Sequence, residues 1–375
     1  MKYRLGDLAR ISSSKRIYAK EYTTSGIPFY RGKEIIELSS GHLVSNKLFI
    51  SKDRFNQIRS KYNDVPEKDD VLITAVGTIG ETYLVKSRDL PFYFKDGNLI
   101  KLSKWNRQIV SPEYMYYWLN SYAGKMAIKK ITIGSTQQAI TIGELSDIEL
   151  DLPPINEQGK IAQRLSILDV KIDNNKHINA NLDELLSAIY NHLVGDKNHN
   201  AKLSDICFIS NRKISVSDLQ LNNYWSNTNL LPDKAGAKIA DKLPKAKNVN
   251  KVEAGDILFG NIRPYFKKIM YASYNGGAST DVVCFHPNNS AISEFLYSII
   301  YSDKFISSVV RSAKGTKMPR GDKKQMMSYK VYLPTKEEIE SFHKQANVIL
   351  QQKQSNNVEN EHLQELKKIL LKRLF

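Results

Sequence analysis

Asn261-Ile-Arg-Pro-Tyr-Phe-Lys-Lys268 gathers an amide, a guanidinium, aromatic rings and ammonium groups into one short run. Amides and guanidinium groups form paired hydrogen bonds with base edges, and ammonium groups neutralise phosphates, so the run carries the chemistry of nucleic-acid recognition. Its candidate contacts are Asn261, Arg263, Tyr265, Lys267 and Lys268, joined by Thr316, Lys317 and Arg320 from Gly315-Thr-Lys-Met-Pro-Arg320. The earlier half of the chain offers a second set. Arg31 and Lys33 follow Ile27-Pro-Phe-Tyr30, and Arg54, Arg59 and Lys61 come soon after. Thr78, Ser135, Thr136, Gln137 and Gln138 are short polar side chains near glycines, suited to close approach to a backbone or a base.

Catalytic chemistry is not visible. An adenine methyltransferase needs an Asp/Asn-Pro-Pro-Tyr/Phe loop to hold a flipped base, and the one Pro-Pro pair here lies in Leu152-Pro-Pro-Ile155. Gly77-Thr-Ile-Gly80 is too short for a nucleotide-binding loop. Asp169-Val-Lys171 and Asp322-Lys-Lys324 have an Asp-x-Lys spacing, but a Mg²⁺ nuclease also needs clustered carboxylates. Two cysteines, Cys207 and Cys284, are too few for a disulfide framework or a zinc site, and the histidines are scattered. The expectation is a chain with no catalytic residue, no bound cofactor and no metal. Charges appear early with no apolar run behind them, and no stretch approaches the roughly 18–20 apolar residues of a membrane span. That composition predicts a cytoplasmic protein that contacts no membrane.

The elements that position these residues come in two sets. The net charge of +16 divides into +7 over residues 1–150, −2 over 151–195, +10 over 196–335 and +1 over 336–375. Excess charge concentrated on two blocks predicts that each faces a polyanion. The sequence also repeats at an offset of 181: Leu152-Pro153-Pro154 matches Leu333-Pro334-Thr335, Gly134-Ser-Thr matches Gly315-Thr-Lys, and Glu157 matches Glu338. Upstream the match loosens, with Asp70-Val-Leu-Ile resembling Asp256-Ile-Leu-Phe. Short β-rich runs between turn signals, followed by helix starts at Pro112 and Ser293, make each block α+β.

Beyond each Leu-Pro pair the pattern becomes helical. Ile161, Leu165, Leu168, Ile172, Asn175, Asn179, Leu182, Leu186, Ile189 and Leu193 alternate spacings of four and three, a heptad seam. Phe342, Ala346, Ile349, Lys353, Asn356, Asn360, Leu363, Lys367, Leu370 and Leu374 fill the equivalent slots. Helices of about 40 residues would each span roughly 60 Å. Paired antiparallel, they would place Asn175 near Asn360 and Asn179 near Asn356, a polar match that fixes register.

Asp151-Leu-Pro-Pro-Ile-Asn-Glu-Gln-Gly-Lys-Ile-Ala-Gln-Arg-Leu165 closely resembles the segment that opens the central conserved helix in specificity subunits of Type I restriction-modification systems. Leu333-Pro-Thr-Lys-Glu-Glu-Ile339 is a weaker copy, with Thr335 for the second proline and no Gln after Glu338. The resemblance covers the whole chain. It implies a target-recognition domain over 1–150, a central conserved helix over 151–195, a second recognition domain over 196–335 and a conserved helix over 336–375. The implied fold is α+β: two mixed recognition domains separated by two long antiparallel coiled-coil helices, a pseudo-two-fold internal repeat. Each domain would read one half of a bipartite double-stranded DNA target, and the helices would set the gap between halves. Adenine methylation would belong to separate methyltransferase subunits that carry the S-adenosylmethionine, with a restriction/translocase subunit where the system cleaves. The alternative is a stand-alone sequence-specific DNA-binding module with no enzyme partner.

Overall fold

A computed structural model describes residues 1–40, 44, 48–134 and 138–375. They form two compact units, one made of Met1–Lys176 with Glu359–Phe375, the other of His177–Val358.

In the first unit Arg10–Ser12, Leu99–Ser103, Val71–Thr74 and Thr82–Leu84 lie side by side in that order, all antiparallel. Val71-Leu-Ile-Thr is apolar on both faces because the sheet is covered on both. Val71 and Ile73 enter a core with Met115, Trp118 and Leu145, whereas Leu72 enters one with Tyr30, Phe92 and Phe94. The second unit repeats the order with Cys207–Ile209, Val282–Pro287, Ile257–Gly260 and Ile269–Tyr271. There Ile257 and Phe259 meet Phe295 and Phe305, while Leu258 meets Trp225 and Val252.

Each unit has a second four-stranded sheet, and here the repeat diverges. The first unit orders Tyr22–Thr23, Leu48–Ile50, Ile27–Tyr30 and Tyr93–Phe94, the last two parallel. The second orders Lys213–Ser215, Asn248–Val252, Gly276–Ala278 and Tyr224–Trp225, again with a parallel last pair. The inner member of the parallel pair is the earlier strand in one unit and the later strand in the other. Downstream the offset of 181 holds element by element: Pro112–Asn120 with Ser293–Tyr301, Tyr122–Lys130 with Asp303–Arg311, and Ile142–Ser146 with Lys323–Met327. Ser121 and Ser302 cap equivalent helices, accepting from the backbone N–H groups of Gly124 and Phe305 at 3.2 Å.

The long helices are Ile155–Val194 and Lys336–Leu374. Within the first unit Lys367 pairs with Asp169 at 2.6 Å, and Asn175 donates to Asn360 at 3.0 Å and to Glu359 at 2.7 Å. Within the second, Asn356 donates to Asn179 at 2.8 Å and Lys353 pairs with Asp183. Partner numbers fall along one helix as they rise along the other, so the pairing is antiparallel in both units. Lys353 and Lys367 occupy seam positions, and Asp183 and Asp169 neutralise them there.

The helix entry shows why the Leu-Pro-Pro segment carries Glu-Gln. Gln158 is fully buried; it accepts from the Ser111 N–H at 2.9 Å and donates to the carbonyls of Ile109 and Pro153, each at 2.9 Å. One side chain thus ties three loop groups to the first turn. In the second unit the equivalent Ile339 packs on the core instead. Glu338 takes over the tie, accepting from Lys197, the Thr335 N–H and the Tyr332 hydroxyl. These donors, Lys197 foremost, pull its carboxyl down to about 2. No helix among the described residues is long and apolar enough to cross a membrane.

Candidate nucleic-acid interface

In the second unit the hairpin of Ile257–Gly260 and Ile269–Tyr271 turns through residues 261–268. The turn is pinned to residues 314–320: Ile262 bridges Arg320, and Arg320 also bridges Lys314. Arg263 holds the left-handed conformation, φ 52°, which costs a residue with a Cβ and persists only when neighbours enforce it. Here its N–H donates to the Pro319 carbonyl at 2.8 Å and its guanidinium to the Lys317 carbonyl at 3.3 Å. Two buried atoms, Asn261 Oδ1 and Arg263 Nε, have no hydrogen-bond partner among the described residues. Tyr265 and Phe266 stand exposed on a short turn, their ring centroids 4.9 Å apart. Thr316 and Lys317 are exposed, and Arg320 reaches Asp281 at 2.9 Å.

The hairpin turn thus brings Asn261, Arg263, Tyr265, Thr316, Lys317 and Arg320 to one place. Lys267 and Lys268 are held by neighbours. Lys267 and Lys234 both reach Asp303, at 3.1 and 3.2 Å, and their hydrogen bonds outweigh partial burial to pull that carboxyl down. The Lys268 ammonium donates to the Asn227 carbonyl, and burial lowers its proton affinity.

The first unit builds the same frame. Strands Val71–Thr74 and Thr82–Leu84 turn through residues 75–81; Val76 bridges Ala139, and Ala139 bridges Ile133. Thr74 stiffens the turn by donating its hydroxyl to the Thr78 carbonyl and accepting from the Glu81 N–H at 3.0 Å. Thr78 and Gln138 are exposed beside one another's segments. Ser135, Thr136 and Gln137 lie outside the described residues. Gly32 opens helix Gly32–Ser39 close to this turn: a Cβ on it would lie 3.9 Å from Thr74 Cγ2.

Three of the five candidate first-unit cations already have acidic partners. Arg31, the residue before that helix, clamps buried Glu34 with guanidinium contacts of 2.7 and 3.1 Å. Lys33 pairs with Glu37 at 3.4 Å, and Arg54 with Glu21 at 2.8 Å. Arg59 and Lys61 are exposed in the last turn of a different helix, Lys52–Tyr62, with Lys61 5.4 Å from the Tyr62 ring centre.

No motif marks Lys125, Lys129 and Lys130, all exposed on helix Tyr122–Lys130. Their signal is a four-residue spacing with no acidic residue in the helix. Spacing also hides the one place where titratable groups gather at equivalent strand positions. Lys101 opposite Leu72 corresponds to Cys284 opposite Leu258. In the first unit buried Lys101 lies 3.0 Å from Asp64 and 3.7 Å from Asp70. Burial pushes the Asp70 carboxyl up to about 6, against the pull of Lys101. In the second unit Asp256 takes a hydrogen bond from the Cys284 thiol at 3.1 Å and lies 2.6 Å from His286 Nδ1. Burial and Asp256 raise the Cys284 thiol far above its ordinary range, which makes it a poor nucleophile. Among the described residues no group of three or more His, Cys, Asp and Glu is arranged to hold a metal ion.

The family model described as "Type I restriction modification DNA specificity domain" matches residues 1–184 and again 196–370. A putative type I restriction enzyme specificity subunit of Haemophilus influenzae is 31% identical over 170 residues, 44% of this chain and 38% of that protein. The putative type I restriction enzyme MjaX specificity subunit of Methanocaldococcus jannaschii is 27% identical over 172 residues, 46% of this chain and 36% of its own length. Each match therefore spans well under half of the curated relative. The crystal structure of a Type I restriction-modification S subunit from M. genitalium aligns over 100% of this chain and 96% of its own, with a TM-score of 0.60 and 19% identity. That likeness establishes the fold.

Proposed function

Because the chain belongs to the family of Type I restriction-modification DNA specificity domains, we propose that it is the sequence-reading subunit of such a system, taking one half of a bipartite DNA target with each unit. The observation that carries this reading is the recurrence of one frame. In both units a hairpin turn is bridged to a glycine-led loop, Val76 to Ala139 and Ile262 to Arg320, so polar tips are presented twice, joined by cations in the second unit. Phosphate contacts position such a protein and base-edge contacts specify its site, and the second-unit frame supplies both kinds of group.

The same repetition supports docking of two copies of one partner, the adenine-methyltransferase subunit, which would hold the S-adenosylmethionine. Ile167 and Val348 are equivalent under the repeat and both exposed; so are Leu185 and Leu366. Each unit therefore shows one exposed apolar residue from each helix at matching positions, the kind of surface a partner covers. The chain itself acts through recognition and contributes no catalytic group.

The test is a methylome. This chain is expressed with a candidate Type I methyltransferase subunit from the same genome in an unmethylated host, and the DNA is sequenced for N6-methyladenine. A two-part motif with a fixed gap, lost when either gene is removed, is the expected result. An intact complex that leaves the DNA unmethylated overturns the reading in favour of a binding module without an enzyme partner.

A further inference from the structure

The two recognition frames differ in charge. Residues 261–268 and 314–320 of the second unit contain Arg263, Lys267, Lys268, Lys314, Lys317 and Arg320, whereas residues 75–81 and 131–140 of the first unit contain no cation and one acidic residue, Glu81. A frame without cations gains nothing from counterion release, the term that supplies most non-specific affinity for DNA.

The missing charge is available on the adjoining helix. Tyr122–Lys130 leads directly into the glycine-led loop and packs against the hairpin turn: a Cβ on Gly80 would lie 3.2 Å from Ile128 Cγ2. The helix sits close on its neighbour, since a Cβ on Gly124 would fall 2.1 Å from the Trp118 carbonyl oxygen. With Gly124 and Ile128 facing inward, Lys125 and Lys129 fall one residue round the helix at i and i+4, and Lys130 follows. All are exposed, and among the described residues none joins an ion pair. Lysines in a last turn also suit the helix dipole, but that accounts for Lys129 and Lys130 and not for Lys125. Of the equivalent positions in the second unit, Ile306 is buried, Val310 is exposed and apolar, and only Arg311 keeps a charge; the position of Tyr122 is taken by Asp303, which engages Lys267 and Lys234. A three-lysine cluster with no acidic residue on its helix belongs to the first unit alone.

The geometry points to Lys125, Lys129 and Lys130 as the phosphate anchor of the first unit, contacting the DNA backbone beside the half-site that its cation-free turn reads. This rests on the DNA-reading function proposed above. The helix fixes the position of the strand, and the cation-free turn is left to discriminate bases.

The test uses the complex with its methyltransferase and a duplex carrying the motif found in the methylome. Binding is measured from low to moderate salt for the parent and for the Lys125→Gln/Lys129→Gln/Lys130→Gln variant. The log–log salt slope should become shallower by about 2–3 at roughly 0.9 per contact. The methylated motif should be unchanged, and the matching Lys→Arg variant should restore the slope. An unchanged slope in a variant that still binds overturns the anchor and leaves the DNA-reading function standing. Altered bases in one half-site would make the lysines base readers and also overturn it. Failure of the parent complex to prefer its motif overturns both.

Discussion

Asn175 donates its amide to Asn360 at 3.0 Å, and both side chains are buried in the seam between antiparallel helices. Asn356 and Asn179 repeat the arrangement at 2.8 Å in the other unit. Buried amides pair only in register, at a cost in stability relative to leucine. Replacing all four by Leu should raise the thermal midpoint and relax the register, which a methylome would show as a spread of spacer lengths. A destabilised product, or one stabilised with a single spacer, would remove the register role.

If the helices set the spacer, adding one heptad to both lengthens them by about 10 Å, or roughly three base pairs. The methylated motif should keep its two halves and widen between them. Retention of the original gap would assign the spacing to something other than the helices.

Arg263 is fixed by Pro319 and Lys317 while its Nε remains buried and unpartnered among the described residues. Arg263→Ala should cost roughly 1–3 kcal/mol of specific binding and relax one base position in one half-site. The motif profile of the variant decides this, and an unaltered preference at every position takes Arg263 off the readout.

Gln158→Ala leaves the Ser111 N–H and the carbonyls of Ile109 and Pro153 without their buried partner. The first unit should lose about 2–4 kcal/mol in urea denaturation. Ile339→Ala, the equivalent change in the second unit, removes apolar packing and no hydrogen bond.

Lys101 needs only one carboxylate to balance it, and Asp64 at 3.0 Å is the nearer. Asp70 binds its proton more tightly folded, at about 6, than in an unfolded chain, so its contribution is full below the unfolded value and fades as pH rises through 6. Between about pH 4 and 6 the first unit should lose up to about 3 kcal/mol from this group. Asp70→Asn should abolish that fall. A variant whose denaturation midpoint follows the parental pH profile would place the charge elsewhere.

The repeat, the helix pair and its polar register were legible because they rest on period alone: Asn at the same seam slots and an offset that holds from Pro112 onward. The second sheet was not legible. Its strands are short, and Ile27–Tyr30 and Gly276–Ala278 reach the same inner place from different points along the chain. The candidate interface was half visible. Asn261 to Lys268 stood out by composition, but which members stay exposed depends on Asp303 and Asn227, far away in sequence. Lys125 and Lys129 carry no motif, and only the packing of Ile128 against Gly80 sets them beside the turn.

The first unit closes with residues 359–375, and Leu370, Leu371, Leu374 and Phe375 pack on its core. On the ribosome this reverses the usual order of maturation. The unit whose strands precede the other's waits for turns made after the whole of His177–Val358, which is contiguous and can condense as soon as it is released. At about 5–20 residues per second the wait is on the order of tens of seconds. During it the apolar patch meant for Leu370 and Phe375 is open to chaperones, and to the matching segment of any other nascent copy.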